Sequence, residues 1–212
     1  VLIIAPHPDD AEIAAYGLYS SSPNTHIITI TAGDAGAYNY DEIYADKTEH
    51  YFQKGKIRTW NSIVIPLLGG IPPKQSINLG FPDSTLKKMY QNKDKIIHSS
   101  YTGKSDIAAY RKFNLSPLSQ NLSKSSNWIS LVDNLKHLLL KIAPDIIITP
   151  YPALDSHNDH KYSSLALFEA IKKANIQEGL LYLYSNHLVI NELYPYGKTG
   201  GVISLPPNFG TS

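Results

Sequence analysis

An α/β fold, Rossmann-like and three-layered with a mostly parallel sheet, is predicted by three features of the sequence. Short unbroken apolar runs stand at Val1–Ala5, Ile27–Thr31 and Ile146–Thr149, and a run without polar alternation suits a strand buried on both faces. Segments with helical spacing lie between these runs, which is the pattern of strands joined by helical crossovers. Polar clusters follow the first and the later run directly, where open α/β sheets carry their ligands, at the carboxyl ends of the strands.

Element by element, "VLIIA" reads as the first strand and Ala11–Tyr19 as a helix. A β-branched run ending at Thr31 leads into a glycine-bearing turn at Gly33–Gly36, and Tyr44–Lys56 is compatible with a helix. "SIVIPLLG" around Ile63 is expected to be the third strand. From about 70 to 126 periodicity fades among Pro72, Pro73, Pro82 and Pro117, which predicts a long insertion of loops and short helices over one edge of the sheet. Trp128, Leu131, Leu135, Leu138, Leu139 and Ile142 mark a helix that Pro144 ends. After the strand at Ile146–Thr149 come a polar loop, a helix from about Tyr162 to Ala174 and a last strand in "GLLYLYSN".

The chain has 212 residues, enough for one domain with a sizeable core, and a single domain over 1–212 is expected. A start at Val1 without Met suggests a portion of a longer protein; the cytoplasm is the expected compartment, with an exported precursor as the alternative. Lys and Arg number 19 against 18 Asp and Glu, and no basic stripe is present, which argues against a nucleic-acid partner. No apolar run reaches the roughly 20 residues that span a bilayer. With no cysteine, any metal must be held by His, Asp or Glu. Oligomeric state is not encoded in any feature of this kind.

The chemistry concentrates in "HPDDAE" (His7–Glu12) and "HNDH" (His157–His160), each directly after a predicted strand. The fold would bring them to one sheet edge. Two histidines and a carboxylate are an adequate ligand set for a catalytic zinc with one open position, and His7, Asp10 and His160 form such a set. Asp9, beside the ligand carboxylate, is placed to act as base toward a metal-bound water. His157 is the candidate for stabilising an oxyanion, and Asp159 for orienting it or a ligand histidine.

At these residues the sequence resembles the zinc-dependent de-N-acetylases of the PIG-L, or LmbE-like, family, whose signature is a His-Pro-Asp-Asp-Glu type motif after the first strand and a His-x-Asp-His motif after a later one. Here one residue separates Asp10 from Glu12. The resemblance spans about Val1 to Ala174. It implies the same fold, one Zn2+ on His7, Asp10 and His160, Asp9 as base, His157 as acid, and a small-molecule or glycan substrate bearing an N-acetyl group. "TAGDAG" looks like the family's Thr-x-Gly-Glu-x-Gly turn with Asp34, a candidate substrate contact, in place of Glu, and "LGFPDS" like its Leu-Gly-x-x-Asp loop, which would aim Asp83 at substrate hydroxyls. A non-catalytic carbohydrate-binding module and a metal-dependent esterase are the competing functions.

Blander roles compete at each position. Asp9 with Glu12 also fits a helix N-cap and its capping-box partner, and "HNDH" alone fits a solvated loop. "TGKS" at Thr102–Ser105 lacks the glycine and the preceding strand of a phosphate loop, and the Gly33–Gly36 turn lacks a dinucleotide fingerprint. "NLS" at Asn114 and at Asn121 matches a glycosylation acceptor by composition. His187 is expected at the same edge, as a structural residue or a substrate contact. Arg58 and Arg111 suit an anionic substrate group or an exposed surface. Tyrosines in "YPALD" and "LYPYG" suit stacking on sugars or half-burial.

Overall fold

The structure, a computed structural model, describes residues 1–38, 43–44 and 46–187. Its strands are β1 (Leu2–Ala5), β2 (His26–Thr31), β3 (Ser76–Phe81), β4 (Ile146–Pro150) and β5 (Leu180–Tyr184). They form one sheet in the order β3-β2-β1-β4-β5, and every pairing is parallel. The helices are α1 (Asp10–Tyr19), α2 (Lys47–Val64), α3 (Leu86–Gln91), α4 (Ala108–Arg111), α5 (Trp128–Ile142) and α6 (Asn158–Ala174). Tyrosines of "LYPYG" lie outside the described residues.

Alternation along β1 builds two cores. Leu2 and Ile4 turn to the face covered by α5 and α6, where they meet Ile28, Ile30, Leu79, Trp128, Leu135 and Leu167. Ile3 and Ala5 turn the other way, onto Ala11, Ala15 and Tyr19 of α1. Each fully buried large apolar side chain contributes roughly 1.5–3 kcal/mol by leaving water. Helix α5 buries Leu131, Leu135, Leu138 and Leu139 at helical spacing, is capped by the Asn127 side chain accepting from Ser130 N–H, and ends at Ala143, whose φ of 46° is left-handed.

The expected third strand is not where the apolar run lies. Residues around Ile63 finish α2 and continue as a 3-10 turn, Ile65–Gly69. Burial there is one-sided, with Ile63 inside but Ile65, Leu67 and Leu68 exposed, which is helical rather than strand behaviour. The third strand is instead "SINLGF", inside the segment expected to be loop. Asn78 and Gly80 hide it. The Asn78 amide donates to Thr31 O and Ser62 Oγ and accepts from Gly80 N–H. Gly80 has φ +70° where the register with β2 shifts, and a Cβ there would lie 3.0 Å from Ile107 O.

Residues that follow β3 cover its open edge. The Asn114 amide accepts from Asn78 N–H at 2.8 Å and donates to Asn78 O at 2.9 Å, imitating one more strand. Arg111 is buried, not surface-exposed: its Nε donates to Leu79 O at 2.5 Å and its Nη1 to Ser123 O.

The chain runs outward from β1 to β3 and then returns to place β4 on the other side of β1, with Leu2 opposite Ile147 and Ile3 opposite Ile148. That reversal is the position where doubly wound sheets open a crevice.

Candidate metal centre

The turn after β1 is tied to β2 by Thr31, whose N–H and hydroxyl both donate to Pro6 O, at 3.0 and 2.9 Å. It folds back so that His7 N–H donates to Asp10 Oδ2 at 2.8 Å. The loop after β4 feeds α6, which carries His160 in its first turn. Because β1 and β4 are neighbours, the two motifs meet.

Three donor atoms converge. His7 Nδ1 lies 3.3 Å from Asp10 Oδ2 and 3.3 Å from His160 Nε2, and His160 Nε2 lies 3.2 Å from Asp10 Oδ2. A tetrahedral ion with bonds of 2.0–2.1 Å separates its ligands by about 3.3 Å, so this triangle fits a zinc-sized ion. Both Asp10 and His160 are buried. Burial alone would raise the Asp10 carboxyl, but His160 and His7 outweigh it and hold it far below the usual carboxylate range. His7 and His160 move the other way: burial opposes their charge, yet the facing carboxylates raise both. His7 also belongs to a set of three histidine rings with His157 and His160, and to one with Asp83 and Asp159.

A carboxylate stands behind each histidine. Asp155, fully buried, lies 2.9 Å from His160 Nδ1 through Oδ2 and accepts from His157 N–H through Oδ1. The sequence reading does not single it out; an Asp two residues before a metal-type histidine motif is the signal that could find it. His7 Nε2 faces Asp83 Oδ1 at 3.2 Å and Asp159 Oδ2 at 3.4 Å.

The carboxylate of Asp159 is directed at His7, not at His157. It accepts from Ser84 N–H at 2.6 Å and Leu86 N–H at 3.1 Å, which fastens the loop after β3 to α6. His157 is fixed differently: it is the N-cap of α6, its Nδ1 accepting from Asp159 N–H at 3.2 Å. A neutral ring that accepts at Nδ1 carries its proton on Nε2 and remains a donor. Burial and the neighbouring His7 lower the His157 pKa, favouring that neutral form.

Asp9 does not cap α1 with its side chain, and no capping box forms with Glu12. Its φ is +124°, a strained value for a residue with a side chain, and its carboxylate takes a 2.8 Å salt bridge from Arg58. Arg58 also donates to Pro8 O at 2.6 Å, and it packs where a Cβ on Gly33 would stand, 2.9 Å from Nη1.

Asp34 lies beneath the site at 1% exposure, so it does not reach substrate. Its Oδ1 accepts from Asp83 N–H at 2.8 Å and its Oδ2 from Tyr110 Oη at 3.4 Å. Burial, reinforced by the charge of Asp83, pushes its carboxyl up to about 6. Asp83 itself is held at about 2: burial would raise it, but His7 prevails.

A cleft of about 400 Å³ opens over the centre, lined by His7, Asp9, Arg58, Asp83, His157 and His187 among others. His187 stands with its ring 4.9 Å from that of His160 and 5.6 Å from that of His157. A second cavity of about 390 Å³, between α1 and α2, shares Asp9, Lys54 and Arg58 with the first.

A parallel five-stranded α/β sheet with a histidine and carboxylate centre at its topological reversal defines the class. Residues 2–171 match the profile of the family described as PIG-L, GlcNAc-PI de-N-acetylase, and the chain belongs to that family. Among solved structures it resembles the conserved protein TT1542 from Thermus thermophilus, with TM-score 0.51 and 20% identity, covering 87% of this chain and 64% of that one. It also resembles GalB, the 4-carboxy-2-hydroxymuconate hydratase from Pseudomonas putida KT2440, with TM-score 0.51 and 12% identity, covering 80% of this chain and 54% of that one. The chain therefore spans less than two thirds of either structure, and at these identities the likeness is one of fold. No curated protein matches the sequence. No helix among the described residues is long and apolar enough to cross a membrane.

Proposed function

We propose that the protein is a zinc-dependent hydrolase that removes the acetyl group from an N-acetylated amino sugar or a conjugate of one. The observation that carries this is the triangle of His7 Nδ1, Asp10 Oδ2 and His160 Nε2, with edges of 3.2–3.3 Å, made by two motifs whose histidines are 153 residues apart. Membership of a de-N-acetylase family supports the bond that is cleaved.

His7, Asp10 and His160 would hold the ion. When bound, it would supply Lewis acidity toward the amide carbonyl and a water made acidic enough to attack near neutral pH. Asp9 accepts a proton from the attacking water and passes it to the departing nitrogen, so that amide and water leave as acetate and free amine. His157 donates from Nε2 to the carbonyl oxygen as negative charge builds on it. Arg58 and Asp83, which line the cleft, are suited to sugar hydroxyls, and His187 walls the same space. Asp159 and Asp155 hold His7 and His160 in place.

The test is acetate release from N-acetylglucosamine and its β-1,4 dimer, before and after metal removal and zinc return. Release that disappears with the metal and returns with zinc supports the reading. Release from O-acetyl sugars but not N-acetyl ones would make the protein an esterase, and sugar binding without release a binding module.

A further inference from the structure

We infer that Asn186, in the turn after β5, is a positioning residue that confines Asp10 to ligation through one oxygen and thereby sets the affinity and selectivity of the metal centre. The inference rests on the metal-site reading above.

Asp10 presents its two oxygens to different partners. Oδ2 faces His7 and His160, while Oδ1 accepts from the Asn186 side-chain amide at 2.7 Å. The Asn186 amide holds Oδ1 away from the two histidine nitrogens, so that a shift to two-oxygen chelation would have to break this bond. One-oxygen ligation keeps the coordination number low and leaves a position for water, as catalytic zinc requires, whereas larger ions that take six to eight oxygens profit from two-oxygen carboxylates. The donor is neutral, so it holds the oxygen without placing a competing cation beside the ion.

The same residue reaches a second donor of the triangle. Asn186 N–H donates to Asp155 Oδ2 at 3.1 Å, the oxygen that also meets His160 Nδ1. The turn is fastened to the loop after β4 by Ser156 N–H donating to His187 O at 2.7 Å. Asn186 thus braces Asp10 directly and His160 through Asp155. Its place is fixed by the pairing of β5 with β4, residue by residue from Ile146↔Leu180 to Pro150↔Tyr184.

The experiment measures zinc and manganese dissociation constants on metal-stripped protein by competition with a chromophoric chelator, together with the urea midpoint of the metal-free form. Asn186→Ala should bind zinc roughly 10–100-fold more weakly, with a smaller preference for zinc over manganese and an unchanged metal-free midpoint. Tyr184→Phe is the control: it removes another tie of β5, the 3.0 Å bond from Tyr184 Oη to Ile4 O, without touching Asp10, and should bind zinc as wild type does. Unchanged zinc affinity in Asn186→Ala, an equal loss in Tyr184→Phe, or an affinity loss matched by a fall in metal-free stability would each overturn the inference. A wild-type chain that takes up no zinc would overturn the metal-site reading and this inference with it.

Discussion

His160 Nδ1 and Asp155 Oδ2 lie 2.9 Å apart with both side chains buried, and the direction of this hydrogen bond decides what the imidazole offers to the site. A carboxylate can only accept, so Nδ1 carries the proton and Nε2 is left as a lone pair aimed at His7 and Asp10. Asp155→Asn can present either an oxygen or an amine to the ring and no longer enforces that tautomer. Zinc affinity is expected to fall about 10–100-fold, read by chelator competition. An affinity equal to wild type would mean that the tautomer is set elsewhere.

The proposed role of Asp9 can be tested apart from metal binding. Its carboxylate is engaged by Arg58 and is not one of the triangle's atoms. Asp9→Asn should retain about one zinc per chain by elemental analysis while losing at least about 100-fold in kcat, the usual scale of a general base. Near-normal turnover would remove Asp9 from the base role.

Asp34 makes stability fall with rising pH. Its carboxyl is pushed up to about 6 in the folded protein, against about 4 in the unfolded chain. Between those values the unfolded chain releases a proton that the folded chain keeps, so folding is penalised as pH rises through the window, by about 3 kcal/mol in full. Asp34→Asn can still accept from Asp83 N–H but does not titrate. Relative to wild type, its urea-derived stability should therefore improve from pH 4 to pH 7; a constant difference across that range would contradict the assignment.

The edge of β3 depends on Asn114. Asn114→Ala removes both hydrogen bonds to Asn78 and should cost about 1–3 kcal/mol in urea denaturation. It should also raise the tendency to aggregate, because a strand edge loses its cover. The same bonds leave the Asn114 amide occupied, so its "NLS" sequence should stay unglycosylated in the folded chain.

Much of this architecture is legible in the sequence because β1, β2 and β4 are buried on both faces and show it as unbroken apolar runs. The residues that follow β1 and β4 are the ones that meet. The third strand is hidden because its apolar pattern is broken by Asn78, an amide spent on the bulge, and Gly80, needed for a positive φ. The run around Ile63 misleads in the opposite sense, since half of it faces solvent at the end of a helix. Asp155 is marked only by its place two residues before the histidine motif and Asn186 by nothing, because both act on other side chains, and the adjacency of β4 with β1 and β5 brings them to the candidate ligands.

The placement of β1 between β2 and β4 also has a kinetic consequence. The two histidines of the triangle sit on opposite sides of a pairing that closes a long stretch of chain, Leu2 with Ile147, and such contacts are slow to form. If that closure completes only after the main folding barrier, an added ion has nothing to bind on the way up and affects only the way down. Zinc should then slow unfolding in proportion to its affinity and leave the refolding rate where it was. A protein that stays assembled chiefly because it opens slowly would follow from an ion held across a seam where early and late parts of the chain are joined.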